Sequence, residues 1–137
     1  MTGVQTCALP ISVRPNTIAK SIAIGNPADG YQVLQTVRGT GGSGAAVSDI
    51  DIVAAIRLLA ETEGIFTEPA GGTTLAATIE LIKRGAIAPN ESVVVCVTGN
   101  GYKTSEVVSG QLTEPVRLSR SFKEFEGWWE ARQGTPA

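Results

Sequence analysis

The chain has 137 residues, of which 42% are hydrophobic and 18% are charged, and its formal net charge is −2. This composition is typical of a globular protein with enough apolar material for a core, and the charge gives no basis for expecting nucleic acid or anionic lipid as a partner. The sequence contains no histidine, which excludes Ser-His-Asp and Cys-His catalysis and histidine-ligated zinc within this chain.

The cysteines and the apolar runs indicate the surroundings in which the protein works. Cys7 and Cys96 have neither the spacing of a metal site nor the number needed for a disulfide framework. No apolar run is long enough to cross a bilayer. We therefore expect reducing, cytoplasmic surroundings and no metal site.

The first residues do not resemble the start of a folded domain. Residues 1–11 lack the positively charged region of a signal peptide, and they resemble the translation of a sequencing-library adapter read in frame into a gene. A disordered native tail is the alternative interpretation. We expect residues 1–12 to be a disordered adapter scar, which removes Cys7 from consideration, and residues 13–137 to be the C-terminal part of something longer.

The first predicted helix covers residues 28–38, where Tyr31, Leu34 and Val37 recur at three-residue steps. The glycine-rich residues 39–44 end this helix. They satisfy the dinucleotide-binding pattern G-x-G-x-x-G, but they follow a helix rather than a strand. We therefore interpret them as a flexible connection from a helix to a strand.

A second helix is predicted to begin after Ser48 and to end at Gly64. Ser48 supplies an N-cap hydroxyl and Asp51 supplies a carboxylate three residues later, which is the pattern of a capping box. Residues 65–66 then predict a short buried strand. The helix that follows is expected to bury one apolar face, which consists of Leu75, Ile79, Ile82 and Ala86.

Residues 93–98 (Val-Val-Val-Cys-Val-Thr) form an apolar, β-branched run that predicts a fully buried strand of a parallel sheet. Thr98 would then stand at the carboxyl end of this strand, where open α/β sheets bind ligands. Cys96, centred in the run with no histidine to activate it, is predicted to be inert core. The Gly-Asn-Gly sequence at residues 99–101 is compatible with a plain hairpin turn and with a loop that approaches a ligand closely.

The last predicted helix begins at a cap supplied by Ser119 or Ser121 and presents an aromatic face. That face consists of Phe122, Phe125, Trp128 and Trp129. Residues 133–137 look disordered. Because helices and strands alternate along the chain, the predicted fold class is α/β.

Three loops rich in small residues follow apolar stretches of the sequence. They lie at residues 24–27, 67–72 and 99–101. In an open α/β sheet, loops at the carboxyl ends of the strands converge on one crevice. We therefore expect a ligand site where these three loops meet.

Three longer segments around these loops are recognisable by their order and spacing. They are residues 24–30 (Ile-Gly-Asn-Pro-Ala-Asp-Gly), 61–72 (Glu-Thr-Glu-Gly-Ile-Phe-Thr-Glu-Pro-Ala-Gly-Gly) and 97–103 (Val-Thr-Gly-Asn-Gly-Tyr-Lys). Together they closely resemble the C-terminal third of the threonine synthase family, which belongs to the fold-type II (tryptophan synthase β-like) pyridoxal-phosphate enzymes. This resemblance implies that the chain is the C-terminal part of a parallel-sheet, three-layer large domain.

The resemblance implies pyridoxal 5′-phosphate as the cofactor and assigns residues to it. Thr98 matches the hydroxyl residue that meets the pyridine nitrogen, while Gly99 and Asn100 would line the edge of the ring. Gly25 belongs to a loop that faces the cofactor. Glu68 matches an acidic residue on the cofactor side of the crevice, although a helix-entry carboxylate favoured by the helix dipole is an equally open interpretation.

For the substrate, the resemblance implies O-phospho-L-homoserine, which reacts with water to give L-threonine and phosphate. Asn26 and Pro27 match positions that face the substrate, and Ser21 lies just before that loop. The parent enzyme is expected to be a homodimer. A threonine or serine dehydratase, a cysteate-synthase-like enzyme and a non-catalytic domain that binds small ligands or a partner are the alternatives.

The family's chemistry requires a lysine that binds the cofactor, and no lysine of this chain stands in the corresponding sequence context. The lysines are Lys20, Lys83, Lys103 and Lys123. We therefore assign no catalytic residue in this chain, and we expect the chain alone to be inactive. Without neighbouring strands, residues 93–98 would expose apolar surface, so we also expect the chain alone to be marginally stable, oligomeric or aggregation-prone.

Overall fold

A computed structural model describes residues 14–110 and 115–133 of the chain. The predicted adapter scar at residues 1–12, including Cys7, lies outside the described residues. Most of the regular structure in the described ranges is helical. The helices are α1 (Gly30–Gly39), α2 (Asp49–Glu63), α3 (Pro69–Lys83), α4 (Glu106–Ser109) and α5 (Phe122–Gln133), and 3₁₀ turns lie at Lys20–Ile22 and Gly101–Thr104.

Helix α2 begins and ends where its sequence predicts. The Asp51 amide donates to Ser48 Oγ (3.2 Å) and the Ser48 amide donates to Asp51 Oδ2 (3.1 Å), which completes the capping box. At the other end, Gly64 adopts a left-handed conformation with φ of 67°, and its amide donates to the last turn of the helix. The predicted boundaries of this helix are confirmed.

The core of the described residues lies between α2, the N-terminal segment and α4. It consists of Ala19, Ile52, Val53, Ile56 and Val108, with Ile18, Val47, Phe66 and Val107 packed against it. The N-terminal segment is also tied to the start of α2 by polar contacts. The Thr17 hydroxyl donates to Asp49 (2.5 Å), and the Ile18 amide donates to the same carboxylate (3.2 Å).

Helix α3 packs along α2 through its smallest residues. The buried residues of α3 are Pro69, Gly71, Gly72 and Ala76. The predicted apolar face of this helix is therefore correct only in part: Leu75 and Ile79 are half-buried, but Ile82 is 51% exposed and Ala86 lies beyond the end of the helix. The reason is geometric, since small residues let two helix backbones approach closely.

Helix α1 and the glycine-rich segment after it lie at the surface. The helix begins two residues later than predicted and buries no side chain. Gly41 has φ of 67°, and added Cβ atoms at Gly39, Gly41 and Gly44 would meet no atom within 4 Å. The segment connects α1 with α2, so a connection is present as predicted, but the element that follows it is a helix and not the expected strand.

The segment 93–98 does not form the expected buried strand. It joins no β-ladder within the described ranges, and none of its backbone groups makes a hydrogen bond there. Val94 is 89% exposed and Cys96 is exposed, so the prediction of an inert core cysteine is also wrong. A strand is stabilised by pairing with neighbours, and no described segment pairs with this one.

The C-terminal helix α5 carries the predicted aromatic face. The Glu124 amide donates to Ser121 Oγ (3.4 Å), and the Ser119 hydroxyl and amide donate to the Glu124 carboxylate, so both candidate serines take part in the helix start. Gln133 belongs to the helix, contrary to the expectation of disorder there, and residues 134–137 lie outside the described residues. No helix within 14–110 or 115–133 combines the length and apolar character needed to cross a membrane.

Candidate functional site

Two of the three predicted loops are joined by backbone pairing. The Gly101 amide donates to the Phe66 carbonyl oxygen (3.0 Å), and the Glu68 amide donates to the Gly99 carbonyl oxygen (3.1 Å). An isolated antiparallel bridge between Thr67 and Asn100 lies at the centre of this pairing. The buried strand predicted at residues 65–66 is wrong: the bridge lies at Thr67, and Ile65 is 45% exposed. The loops at 67–72 and 99–101 lie side by side.

The Gly-Asn-Gly sequence is not a hairpin turn. Asn100 is the N-cap of the 3₁₀ turn Gly101–Thr104, and its Oδ1 atom accepts a hydrogen bond from the Tyr102 amide (2.9 Å). The chain therefore runs from this loop into a helical turn rather than back along a partner strand. Of the two structures that the sequence left open, a simple hairpin is excluded.

Gly101 lies directly against an aromatic ring. A Cβ atom at Gly101 would lie 2.7 Å from three carbon atoms of the Phe66 ring. Tyr102 packs edge-to-face on the same ring, with 5.4 Å between the ring centroids. The second glycine of the loop is therefore required by close approach to Phe66, which fixes the loop against the residues before α3.

The Glu68 side chain faces the other loop rather than its own helix. Glu68 is the N-cap residue of α3, but its carboxylate accepts no hydrogen bond from the amides of the first turn. It lies against Gly99 instead, where the carboxylate occupies the space that a Cβ atom would need. Since a capping carboxylate would turn toward the helix amides, this geometry favours a role in the site over a simple helix cap.

A shallow groove of about 570 Å³ lies beside these loops. It is lined by Cys96 and Thr98, by Ile22 and residues 43–45, and by residues of α3, most of which are small. Those α3 residues are Ala70, Thr73, Thr74, Ala77, Thr78 and Leu81. Thr98 is exposed, so its hydroxyl is accessible to a ligand in the groove.

The third predicted loop, at residues 24–27, is not hydrogen-bonded to the other two loops within the described ranges. Among the described residues, the Gly30 amide donates to the Pro27 carbonyl oxygen (3.2 Å), and no hydrogen bond joins residues 25–27 to either of the other loops. Gly25 is half-buried, whereas Asn26 and Pro27 are exposed. The structure thus brings Glu68, Gly99 and Asn100 together, but among the described residues no hydrogen bond joins Gly25, Asn26 or Pro27 to them.

Ser21 is connected to the groove only indirectly. It lies in the 3₁₀ turn Lys20–Ile22, which contacts α3, and its own side chain is exposed. The next residue, Ile22, lines the groove that Thr98 also lines. The segment leading to the third loop therefore borders the groove, although the loop itself does not.

Sequence analysis missed one polar residue at this site. Thr67 is 1% exposed and is the buried polar residue of the described core. Its hydroxyl donates to the Gly99 carbonyl oxygen at 3.0 Å, and it also lies 3.2 Å from the Glu68 carbonyl oxygen. A threonine between a phenylalanine and Glu-Pro has no distinctive pattern, so only the folded contacts identify it.

The sequence was compared with known proteins. It matches the family described as pyridoxal-phosphate dependent enzyme over residues 1–99. It is 38% identical over 104 residues to a threonine synthase of Methanocaldococcus jannaschii, a match that covers 76% of this chain and 26% of that relative. It is 42% identical over 113 residues to a threonine synthase of Bacillus sp. strain ULM1, covering 82% of this chain and 32% of the relative.

A threonine synthase of Mycobacterium tuberculosis strain H37Rv is 40% identical to the chain over 94 residues, which cover 69% of this chain and 26% of the relative. The chain therefore spans about a quarter to a third of the length of these curated relatives. The sequence resemblance to the threonine synthase family is confirmed by these matches.

Proposed function

Because the chain belongs to the family of pyridoxal-phosphate dependent enzymes, we propose that it forms the C-terminal part of a threonine synthase. The complete enzyme would convert O-phospho-L-homoserine and water into L-threonine and phosphate. The cofactor prediction is confirmed at the level of the family. The reaction, the substrate and the residue roles below belong to the proposal.

The observation that carries the proposal is the pairing of the two loops that resemble the family. The Glu68 amide donates to the Gly99 carbonyl oxygen (3.1 Å), so the loop before α3 and the loop after residue 98 form one unit. Residues far apart in the sequence thus present a carboxylate, an asparagine amide and a hydroxyl in one region. The similarity to relatives named threonine synthase supports this assignment over other members of the family.

Of the predicted cofactor residues, Thr98 lines the groove, whereas Glu68, Gly99 and Asn100 lie in the paired loops next to it. The groove has a volume of about 570 Å³, which lies within the range of about 300–1,000 Å³ that small-molecule sites occupy. Gly99 presents no side chain, and the Glu68 carboxylate fills the space next to it. The Thr98 hydroxyl can donate to a ring nitrogen or accept from it, which matches the donor set that a pyridine ring requires.

When bound, pyridoxal phosphate supplies an electron sink for bond breaking at the carbons of an amino-acid substrate. In our proposal, Thr98 holds the ring nitrogen through its hydroxyl. A hydroxyl carries no negative charge, so it does not stabilise a protonated ring nitrogen as a carboxylate would. We expect Thr98 to orient the ring while leaving the nitrogen largely unprotonated, which suits controlled elimination at the β and γ carbons.

The neighbouring side chains would have complementary roles. Asn100 uses its Oδ1 atom to cap the turn at Tyr102, so its Nδ2 group is the part that can donate to the cofactor edge. Glu68 would accept a hydrogen bond beside Gly99. We propose that Gly25 faces the cofactor. On the substrate side we propose Asn26, Pro27 and Ser21, supported by Ile22, which follows Ser21 and lines the same groove as Thr98.

The proposal extends to the fold of the complete enzyme. Residues 93–98 expose a β-prone, apolar segment whose backbone is unpaired within the described ranges, and we propose that it becomes a strand of a parallel, fold-type II sheet when neighbouring strands are present. We also propose that residues 13–137 form part of the cofactor-binding domain. A homodimeric parent and a cytoplasmic location follow from the family resemblance.

We further propose that the chain alone has no activity. The groove residues within the described chain include no lysine. Lys20 lies in a 3₁₀ turn, Lys83 ends α3 and Lys103 lies beyond Asn100. None of these lysines therefore borders the groove from which it could bind the cofactor covalently.

The proposal can be tested by supplying the remainder of the enzyme. A fusion would join residues 13–137 to the part of the Bacillus sp. threonine synthase that precedes its region of similarity. We expect the fusion to release phosphate and threonine from O-phospho-L-homoserine, and we expect the 137-residue chain alone to do neither. Borohydride treatment followed by mass spectrometry should find the cofactor on a lysine of the added part.

The substrate panel separates this function from its alternatives. The fusion should be assayed with O-phospho-L-homoserine, L-threonine, L-serine and O-phospho-L-serine. Ammonia release from threonine or serine without turnover of O-phospho-L-homoserine would assign a dehydratase instead. A borohydride-stable lysine adduct on the 137-residue chain alone would contradict the proposed division of the site between the two parts.

A further inference from the structure

Two donors from consecutive residues converge on one carbonyl oxygen of the Thr98–Asn100 loop. The Gly99 carbonyl oxygen accepts from the Glu68 amide at 3.1 Å and from the Thr67 hydroxyl at 3.0 Å. A carbonyl oxygen has two lone pairs, so this one is fully satisfied. Two donors in fixed positions also restrict the rotation of the peptide unit between Gly99 and Asn100.

The Thr67 side chain is held so tightly that it has little freedom to rotate. Thr67 is 1% exposed, and Gly71, one turn into α3, packs directly against it. A Cβ atom at Gly71 would overlap Thr67 Oγ1 and would lie 3.1 Å from Thr67 Cβ and 3.2 Å from Thr67 Cγ2. The missing side chain at Gly71 therefore provides the space in which the Thr67 hydroxyl points at the loop.

The hydrogen bond from the Thr67 hydroxyl to the Gly99 carbonyl oxygen ties the two paired loops together. We call this contact the tie, and it affects both loops of the proposed site. Thr67 precedes Glu68, whose carboxylate lies against Gly99, and the bridge from Thr67 to Asn100 continues the pairing. Thr67 itself does not line the groove. Its hydroxyl can thus influence a ligand only through the positions of Glu68 and of the loop that Thr98 begins.

We propose that Thr67 is a positioning residue whose buried hydroxyl, accommodated by Gly71, fixes the Gly99 carbonyl and thereby sets Thr98 and Glu68 for the cofactor. The role at the cofactor rests on the proposed function, whereas the tie between the two loops can be measured on this chain by itself. A neutral hydrogen bond to a buried carbonyl is worth roughly a factor of ten in an equilibrium constant. That factor sets the scale of the expected effects.

The first test measures amide hydrogen exchange by NMR in the 137-residue chain. Thr67→Val removes the hydroxyl and keeps the shape, whereas Thr67→Ser keeps the hydroxyl. We expect Thr67→Val to speed exchange of the Glu68 and Gly101 amides about tenfold relative to the Ile56 amide in α2. Thr67→Ser should restore the original ratio. Equal acceleration at all three amides, or no difference between the two variants, would refute the claim that the Thr67 hydroxyl holds the two loops together.

The second test measures cofactor binding in the fusion described above. Thr67→Val should weaken the affinity for pyridoxal phosphate about tenfold, and Thr67→Ser should stay within about twofold of the original. Thr62→Val is the matched control, because the Thr62 hydroxyl donates to the Leu58 carbonyl oxygen (2.8 Å) on the exposed side of α2, and it should change nothing.

The outcomes of the two tests are distinguishable. If the unmodified fusion fails to bind the cofactor, the proposed function fails, while the exchange ratio still decides whether Thr67 orders the loop. If the fusion binds the cofactor and Thr67→Val binds it as tightly as Thr67→Ser does, the positioning role is refuted and the proposed function stands.

Discussion

Gly72 of α3 and Ile56 of α2 approach so closely that no side chain fits between them. A Cβ atom at Gly72 would lie 2.6 Å from Ile56 Cγ1, and it would lie 2.9 Å from the Ile52 carbonyl oxygen. The backbone oxygen cannot move without disturbing α2. This contact therefore sets the spacing of the two helices that support the loops of the proposed site.

The first prediction concerns this contact. Gly72→Ala should lower the free energy of unfolding by about 1–3 kcal/mol, because overpacking costs more than the alanine gains in helix propensity. Gly39→Ala is the control, since a Cβ atom there meets nothing within 4 Å, and it should be neutral or stabilising by up to about 1 kcal/mol. Urea unfolding followed by circular dichroism measures both. Equal effects of the two substitutions would show that the helices can separate at little cost.

The second prediction concerns the pair formed by Thr67 and Gly71. Gly71→Ala should destabilise the chain by about 1–3 kcal/mol, because its Cβ atom would overlap the Thr67 hydroxyl. The same substitution in a Thr67→Ala background should cost clearly less, since the overlapping oxygen is absent. A double-mutant cycle measured by urea unfolding yields the coupling energy. Additive effects would mean that the two residues do not share this space.

The third prediction concerns the pH dependence of the α2 capping box. Hydrogen bonds from the Ser48 side chain and backbone hold the pKa of the Asp51 carboxyl below its ordinary value of 3.8. A pKa that is lower in the folded state contributes stability that is complete above 3.8 and is lost as the pH falls through the folded value. The difference in unfolding free energy between the original chain and Asp51→Asn should therefore be larger at about pH 7 than at about pH 2. A difference that does not shrink on acidification would contradict this mechanism.

The serine of the same capping box offers a test that can be made at a single pH, near neutrality. Ser48→Ala should destabilise α2 by about 1 kcal/mol, because the Asp51 amide would lose its side-chain acceptor. Ser48→Asp should retain most of the stability, since aspartate is also a good N-cap residue. Thermal unfolding followed by circular dichroism compares the two variants. An alanine variant as stable as the original would show that the cap contributes nothing.

The last prediction concerns the exposed apolar segment 93–97. Val94 is 89% exposed in a β-prone, uncharged run, which is the pattern of an aggregation-prone segment. Val94→Lys should reduce self-association of the chain, measured by analytical ultracentrifugation. Ile50→Lys is the control, because Ile50 is 81% exposed on the helical surface of α2, and it should leave self-association unchanged. If both variants behave alike, general charge rather than this segment governs association.

A structural feature can be predicted from the sequence when the residues that determine it lie close together in the chain. The ends of α2 are set by Ser48, Asp51 and Gly64, which act on their own helix, and both ends are confirmed. The buried face of α3 is set by its contact with α2. The aliphatic pattern of α3 therefore predicted this face only in part, and the close contact is made at Gly72. Sheet formation at 93–98 depends on partners distant in sequence, which a local pattern cannot supply.

The candidate site likewise contains residues that could be predicted from the sequence and residues that could not. The resemblance identified Glu68, Gly99 and Asn100, and the structure brings these three together. The role of Thr67 could not be predicted, because its hydroxyl meets a carbonyl 32 residues away. Whether residues 25–27 join the site is likewise a question of tertiary contact, and their predicted role stays a prediction.

Both tryptophans of the chain, Trp128 and Trp129, lie next to each other in α5. Tryptophan fluorescence therefore reports on the C-terminal helix, whereas Tyr31 and Tyr102 supply the tyrosine emission. Arg132, 5.4 Å from the Trp128 ring centroid, adds a charge whose displacement would alter the tryptophan emission. A change in this emission when a ligand that does not itself absorb it enters the groove would thus measure communication between the ligand site and α5.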